Sequence, residues 1–173
     1  MTARPLPNWR SLLFVPATAE RFVARAHTRG ADVIILDLED SIPPAEKAAA
    51  RDALAGAAAT VGQAGAEVCV RINRPLELAV ADIAAAVMPR VAALMLPKVM
   101  GPEHVRLLSE VVAAREAAQG MEPGHTRLVA VVETPQALPH LAAIAGADPR
   151  VVALGLGVED LATELEAAPS ADL

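Results

Sequence analysis

Glu133 closes the apolar run Val129-Ala130-Val131-Val132, Glu159-Asp160 follows Ala153-Leu154-Gly155-Leu156-Gly157-Val158, and Val68-Cys69-Val70 ends in Arg71. Carboxylates at the ends of successive apolar runs, Glu133 and Asp160, form a hard-oxygen donor set. Mg²⁺ commonly takes one or two such groups and fills its remaining positions with water and substrate oxygens. Capping is the competing reading, because an Asp at a helix start satisfies free backbone N–H groups. Arg71 leaves an apolar strand and needs a carboxylate there, either a protein acid or an anionic substrate. Asp37, Glu39 and Asp40 place three acids in four residues. Such crowding raises the proton affinity of at least one of them, and suits either a salt-bridge framework, with Arg10 as a partner, or a site that holds a cation or shuttles protons. Lys98 ends Leu94-Met95-Leu96-Pro97 and is one of two lysines in the chain. It could form a Schiff base with a carbonyl substrate or pair with the nearby acids; so many acids favour pairing.

These groups need elements to bring them together. Buried-strand patterns recur at Ser11–Val15, Asp32–Leu38, Glu67–Ile72, Ala92–Leu96, Leu128–Val132 and Val151–Leu156. The segments between are rich in Ala, Leu, Glu and Arg and are long enough for crossover helices between parallel strands. The first helix is expected over Ala17–Arg29 with Gly30 as its cap, and the Ala-rich stretch Ala45–Ala59 as a second helix behind Pro43-Pro44, with Lys47 and Arg51 on its wet face. Gln119–Gly124 reads as a loop. Period-two alternation puts Asp37 and Glu39 on the face of Ile35, Arg71 on that of Cys69 and Asn73, and Glu133 on that of Val131. In a (β/α) barrel the chemistry sits where the strands finish, so these charges converge on one mouth.

Composition narrows the function classes. The chain has 173 residues, is 54% hydrophobic, and carries a net charge of -6, one Trp, two Phe and no Tyr. It therefore lacks both the basic footprint and the stacking platforms of a nucleic-acid binder. Cys69 is the lone cysteine, so there is no disulfide framework, and a buried thiol in a reducing, cytoplasmic setting is expected. No run approaches the roughly 18 apolar residues of a membrane span, and Leu12–Val15 is too short for a signal segment. Gly155-Leu156-Gly157 is half of a dinucleotide fingerprint, with Asp160 where the third glycine belongs, and that acid would repel pyrophosphate. The histidines at 27, 104, 125 and 140 lack metal spacing, and no Gly-x-Ser-x-Gly elbow is present.

Several motifs in order carry a family likeness: Arg10-Ser11-Leu12-Leu13-Phe14-Val15-Pro16, Leu36-Asp37-Leu38-Glu39-Asp40-Ser41, Val70-Arg71-Ile72-Asn73, Leu96-Pro97-Lys98-Val99, Val132-Glu133-Thr134 and Gly157-Val158-Glu159-Asp160-Leu161. Nearly end to end, the chain resembles the citrate lyase β-subunit family of the HpcH/HpaI aldolase superfamily. The resemblance implies a TIM-type (β/α)8 barrel, here one partial domain over residues 1–173 that ends after about six βα units. It also implies a Mg²⁺-dependent lyase that cleaves a citryl-, malyl- or citramalyl-type 3-hydroxyacyl thioester, on CoA or an acyl carrier protein, into an acyl thioester and a 2-oxo acid. Carried over by motif position, Glu133 and Asp160 would be the metal ligands and Arg71 the clamp on substrate carboxylate and developing oxyanion. Arg10, Asp37 and Glu39 would line the site, and Arg21 would approach the thioester carrier. Asp37 is the local candidate for the base, although the resemblance points to an acid from a neighbouring protomer in a homo-oligomer, a trimer. Ala17 and Met100 depart from the family pattern of glycine and an acid at those positions. The alternatives are a class II aldolase acting on free hydroxy-oxo acids, and a non-catalytic truncated paralogue serving as a binding or assembly subunit. Pro169–Leu173 reads as the start of a further helix, and the open barrel is expected to expose the edges of its first and sixth strands.

Overall fold

The computed structural model describes residues 6–167. Six parallel strands, β1 (Leu12–Pro16), β2 (Val33–Asp37), β3 (Glu67–Arg71), β4 (Ala93–Leu96), β5 (Arg127–Val132) and β6 (Val151–Leu156), pair in sequence order in one sheet. Helices α1 (Glu20–Ala26), α2 (Lys47–Val61), α3 (Leu76–Ala86), α4 (Pro102–Ala118), α5 (Leu141–Ala145) and α6 (Val158–Glu164) follow the strands in turn. This α/β architecture has six of the eight units of a TIM-type barrel. The strands lie within a residue or so of their expected bounds. The first helix is shorter than expected: Thr18 and Ala19 form a turn on Pro16, and residues 27–29 tighten into a 3₁₀ turn before Gly30, whose φ of 73° ends the segment. The second helix is displaced toward the C-terminus, because a 3₁₀ turn over Pro44–Glu46 precedes Lys47. Residues 169–173, where the sequence suggested another helix, lie outside the described part.

Alternation sorts the side chains into two layers. Ile34, Leu36, Val70, Leu94, Leu96, Leu128 and Ala130 point outward into the main core with Leu54, Ile83, Val105, Leu108 and Ile144 of the helices. Ala50, Ala57, Ala58, Ala79 and Ala86 are also buried there, so the Ala-rich helices approach the sheet closely. Each fully buried Ile or Leu contributes about 1.5–3 kcal/mol. Val33, Ile35, Cys69, Ala93, Met95, Val129 and Val131 form a second, smaller cluster on the concave face. At the two edges cover thins, on the concave face along β1 and on the outer face along β6. Phe14 of β1 is 50% exposed, and Leu12, Leu154 and Leu156 are exposed as well.

The N-terminal ends of the strands are clasped by polar pairs. The Trp9 ring N–H donates to Glu67 at 2.7 Å. Asp32 accepts from the Arg10 backbone N–H at 2.8 Å and from its guanidinium at 3.0 and 2.8 Å. Buried Glu116 on α4 takes a two-pronged bond from Arg150, at 2.8 and 2.7 Å, and backbone N–H groups of Gly124 and Thr126. Burial pushes the Glu116 carboxyl up, but Arg150 and those N–H donors outweigh it and hold it below the usual range.

Candidate active site at the C-terminal mouth

Register creates the first element of the site. Asp37 and Arg71 are partners across β2 and β3 and stand on the concave face one step beyond Ile35 and Cys69. They meet as a two-pronged ion pair, Nε to Oδ1 at 2.7 Å and Nη2 to Oδ2 at 2.8 Å. Asp37, 2% exposed, also accepts the backbone N–H groups of Glu39 and Ser41 at 2.9 and 3.1 Å. Burial pushes its carboxyl upward, but Arg71 and the backbone donors prevail and hold it below the ordinary value. Burial opposes the charge of Arg71 as well, and Asp37, Glu39 and Asp40 more than compensate, so it stays protonated. Its guanidinium lies 5.0 Å from the Phe14 ring centroid, a cation–π contact. The remaining nitrogen, Nη1, reaches Glu39 at 3.1 Å and Asp40 at 3.3 Å.

The turn that carries these acids is held from behind. Lys47 Nζ donates to the carbonyls of Leu38 and Glu39 at 2.7 and 2.6 Å. Asn73 Nδ2 donates to the Leu38 carbonyl at 2.9 Å and to Asp82 at 2.6 Å, and Asp82, fully buried, also takes the Asn73 backbone N–H and Arg51. Lys47 and Arg51 therefore turn toward the strand ends; they do not form the wet face expected of them.

Lys98 occupies the left-handed region with φ 50°, uncommon for a residue with a side chain. That turn aims its backbone N–H at Glu133 Oε1, 2.7 Å away. Its ammonium meets Glu39 at 2.9 Å, Asp160 at 3.3 Å and Asp40 at 3.5 Å. Burial disfavours the charge, but the bond to Glu39 and the surrounding acids raise the pKa above its ordinary value. A protonated ammonium is no nucleophile, so the geometry favours pairing over the Schiff base.

Glu133 directly follows β5 and is 5% exposed. Burial raises its pKa and the charge of Asp160 raises it further, with the Lys98 N–H and ammonium working against them. The carboxylate lies across Gly157, where any Cβ would collide with it. Asp160 sits in the first turn of α6 with its side chain 44% exposed. The N-terminus of α6 receives no side-chain capping bond; Asp160 spends its carboxylate on Lys98, so the capping alternative does not describe it. Among the described residues no three His, Cys, Asp or Glu side chains converge as a complete metal cage. Glu133 and Asp160 fit Mg²⁺ as two hard donors whose mutual repulsion a divalent ion would relieve.

Arg71, Asp37, Glu39, Glu133 and Asp160 are thus brought together, with Lys98 among them. Arg10 is not. It precedes β1, and parallel strands send every pre-strand residue to the far end, where it binds Asp32; the expectation that it lines the mouth or pairs with the acid cluster is corrected. Arg21 lies exposed on α1, 4.5 Å from the Phe22 ring, beside an apolar groove on the outer side of β1 and away from the acids. Asp37, the local candidate for the base, has both oxygens engaged by Arg71, and its affinity for a proton is reduced. Sequence reasoning missed Phe14 and the Lys47, Asn73 and Asp82 supports. The rarity of lysine was the one available signal, for Lys47.

An α/β barrel with acids, an arginine and a lysine gathered at the C-terminal ends of its strands is the architecture of an enzyme whose chemistry runs at the strand tips. The sequence profile of the HpcH/HpaI aldolase/citrate lyase family matches residues 10–172, and the chain belongs to that family. It is 33% identical over 157 residues to the citrate lyase subunit beta of Escherichia coli (strain K12), covering 90% of this chain and 52% of that protein. It is 31% identical over 160 residues to the L-malyl-CoA/beta-methylmalyl-CoA lyase of Rhodobacter capsulatus, covering 90% and 50%. The structure of the citrate lyase beta subunit from M. tuberculosis, complexed with oxaloacetate and magnesium, superposes with a TM-score of 0.69 at 30% identity, covering 99% of this chain and 68% of that one. The chain spans about half the length of these two relatives. No helix among the described residues is long and apolar enough to cross a membrane.

Proposed function

We propose that this chain forms the catalytic mouth of a Mg²⁺-dependent carbon–carbon lyase, a cytoplasmic enzyme that splits a 3-hydroxyacyl thioester of the citryl, malyl or citramalyl type into an acyl thioester and a 2-oxo acid. The carrier is CoA or an acyl carrier protein. The observation that carries the reading is the meeting of Glu133 and Asp160 on Lys98, which shares Glu39 with Arg71 at the same set of strand ends. The relatives' named activities and the magnesium in the M. tuberculosis structure support it.

Cleavage of such a thioester places negative charge on oxygen as a hydroxyl proton leaves. Mg²⁺ held by Glu133 and Asp160 would supply Lewis-acid charge to the oxygens of the oxo-acid half. Arg71 contributes a fixed cation. Two of its nitrogens are locked on Asp37, and Nη1, with its longer contacts to Glu39 and Asp40, is the end offered to a substrate carboxylate or developing oxyanion. Preorganisation by Asp37, Phe14 and the clamped turn means that Arg71 need not move as charge develops. Glu39 is buried, and burial raises its proton affinity, with Lys98 and Arg71 working against it. It accepts a proton more readily than Asp37. We take residues 1–173 as one partial-barrel domain. The family resemblance favours a homo-oligomeric working form, a trimer.

The test is turnover of malyl-, citramalyl- and citryl-CoA with Mg²⁺, beside free hydroxy-oxo acids, for the wild type and for Glu133→Gln and Asp160→Asn. The reading expects thioester cleavage in the wild type and its loss, together with calorimetric Mg²⁺ binding, in both variants. Turnover of the free acids alone would establish the aldolase alternative. Mg²⁺ binding unchanged by either substitution would remove both residues from the metal site.

A further inference from the structure

Five carboxylates, Asp37, Glu39, Asp40, Glu133 and Asp160, face two cations at the mouth. Arg71 is committed to Asp37 by two short bonds and shares Glu39 and Asp40 with Lys98, whereas Asp160 pairs with Lys98. Its three ammonium partners come from different elements: Glu39 and Asp40 from the turn after β2, Asp160 from α6. They are unequal partners. Glu39 is buried and close, whereas Asp160 is half-exposed at 3.3 Å, so the second contact is the one an incoming ion can reach and replace. The Lys98 backbone N–H also fixes Glu133. One residue therefore touches both carboxylates of the metal pair, one through its backbone and the other through its charge.

We propose that Lys98 is a positioning residue whose ammonium serves as a resident cation, holding Asp160 in place until a divalent ion takes that carboxylate from it, and thereby setting the ion's affinity. This inference rests on the reading of Glu133 and Asp160 as the metal pair. Exchange frees one of the ammonium's three contacts and leaves it on Glu39, close to the arriving ion. Like charges at that separation repel, so the ammonium lowers the affinity of the bare site. An anion binding in the mouth offsets that repulsion, and the ion is retained best when an anionic substrate is present. The role acts in the opposite direction from a simple structural one: a residue that merely propped up Asp160 would weaken ion binding when removed, whereas removal of a competing charge strengthens it.

The experiment is calorimetric Mg²⁺ titration of the 173-residue wild type, K98Q and K98R, with thermal unfolding in the absence and presence of Mg²⁺. K98Q keeps the backbone N–H to Glu133 and deletes the charge. It should bind Mg²⁺ about tenfold more tightly, as expected when one nearby like charge is removed from a solvent-screened site. It should also unfold at a lower temperature without metal and regain the difference when Mg²⁺ is added. K98R retains the charge and should bind like the wild type. Equal or weaker binding by K98Q, beside a wild type that binds, overturns the proposal alone; so does K98R matching K98Q. Absence of binding in both wild type and K98Q overturns the metal reading and this proposal together. If K98Q is unfolded without metal, recovery of cooperative unfolding on adding Mg²⁺ supports the proposal, and failure to recover overturns it.

Discussion

Replacing Arg71 by Met is expected to destabilise the protein by about 3 kcal/mol at pH 7, the lower end of the ~3–5 kcal/mol that accompanies removal of one partner from a buried pair. The lower end applies because Asp37 loses two charge-assisted bonds, of 2.7 and 2.8 Å, but keeps the backbone N–H groups of Glu39 and Ser41. The Phe14 ring also loses the cation above it. The effect has a defined pH dependence. In the wild type Asp37 lies below its ordinary 3.8, so its contribution is present above that value and fades only as pH falls through the depressed one. In the variant the opposing cation is gone, burial prevails, and the Asp37 pKa rises above 3.8. The variant's deficit is then complete above the raised value and shrinks as pH falls toward 3.8, where the unfolded chain also takes up the proton. Urea unfolding of both proteins at pH 7 and at an acidic pH still above 3.8 measures this. Adding Asp37→Asn to the variant should recover part of the loss, because it removes the stranded charge. A deficit below about 1 kcal/mol at pH 7, or one independent of pH, would place the pair with ordinary exposed salt bridges and refute the argument.

Three further outcomes follow from other contacts. Gly157→Ala should weaken Mg²⁺ binding markedly in calorimetry, because the new Cβ meets the Glu133 carboxylate and must push it aside. Asp82→Ala should cost about 3 kcal/mol in denaturant unfolding, since it strands Arg51 and the Asn73 backbone N–H inside the fold. Native Cys69 should resist a thiol reagent at pH 8 and react fully in urea; it is buried on the concave face, and that burial pushes its pKa up to about 12.

The repeating strand and helix pattern was legible because strands buried on both faces leave continuous apolar runs, and because period-two alternation allows no freedom about which residues share a face. Asp37, Arg71 and Glu133 followed directly from that rule. Arg10 did not, although its position before the first strand already placed it at the far end. The role of Asp37 was hidden because register across strands is not written in either strand alone. Only the pairing of Asp37 with Arg71 turns a free acid into a neutralised support. Lys47 and Arg51 were misread because a charged residue on a helix looks solvent-facing in sequence, whereas the carbonyls of Leu38 and Glu39 and the carboxylate of Asp82 draw them inward.

The polar clasp at the N-terminal ends of the strands bears on how readily this molecule could acquire new chemistry. Trp9 with Glu67, Arg10 with Asp32 and Glu116 with Arg150 satisfy one another without using any group from the mouth. Contacts that secure the sheet and contacts that meet a ligand are therefore written in separate stretches of sequence. Mutations at Arg74 or Met100, which touch each other in the loops after β3 and β4 and take no part in the Asp82 or Lys98 contacts, can change what the mouth accepts while the opposite end retains its fastening, and a library confined to those two positions should yield mostly folded members.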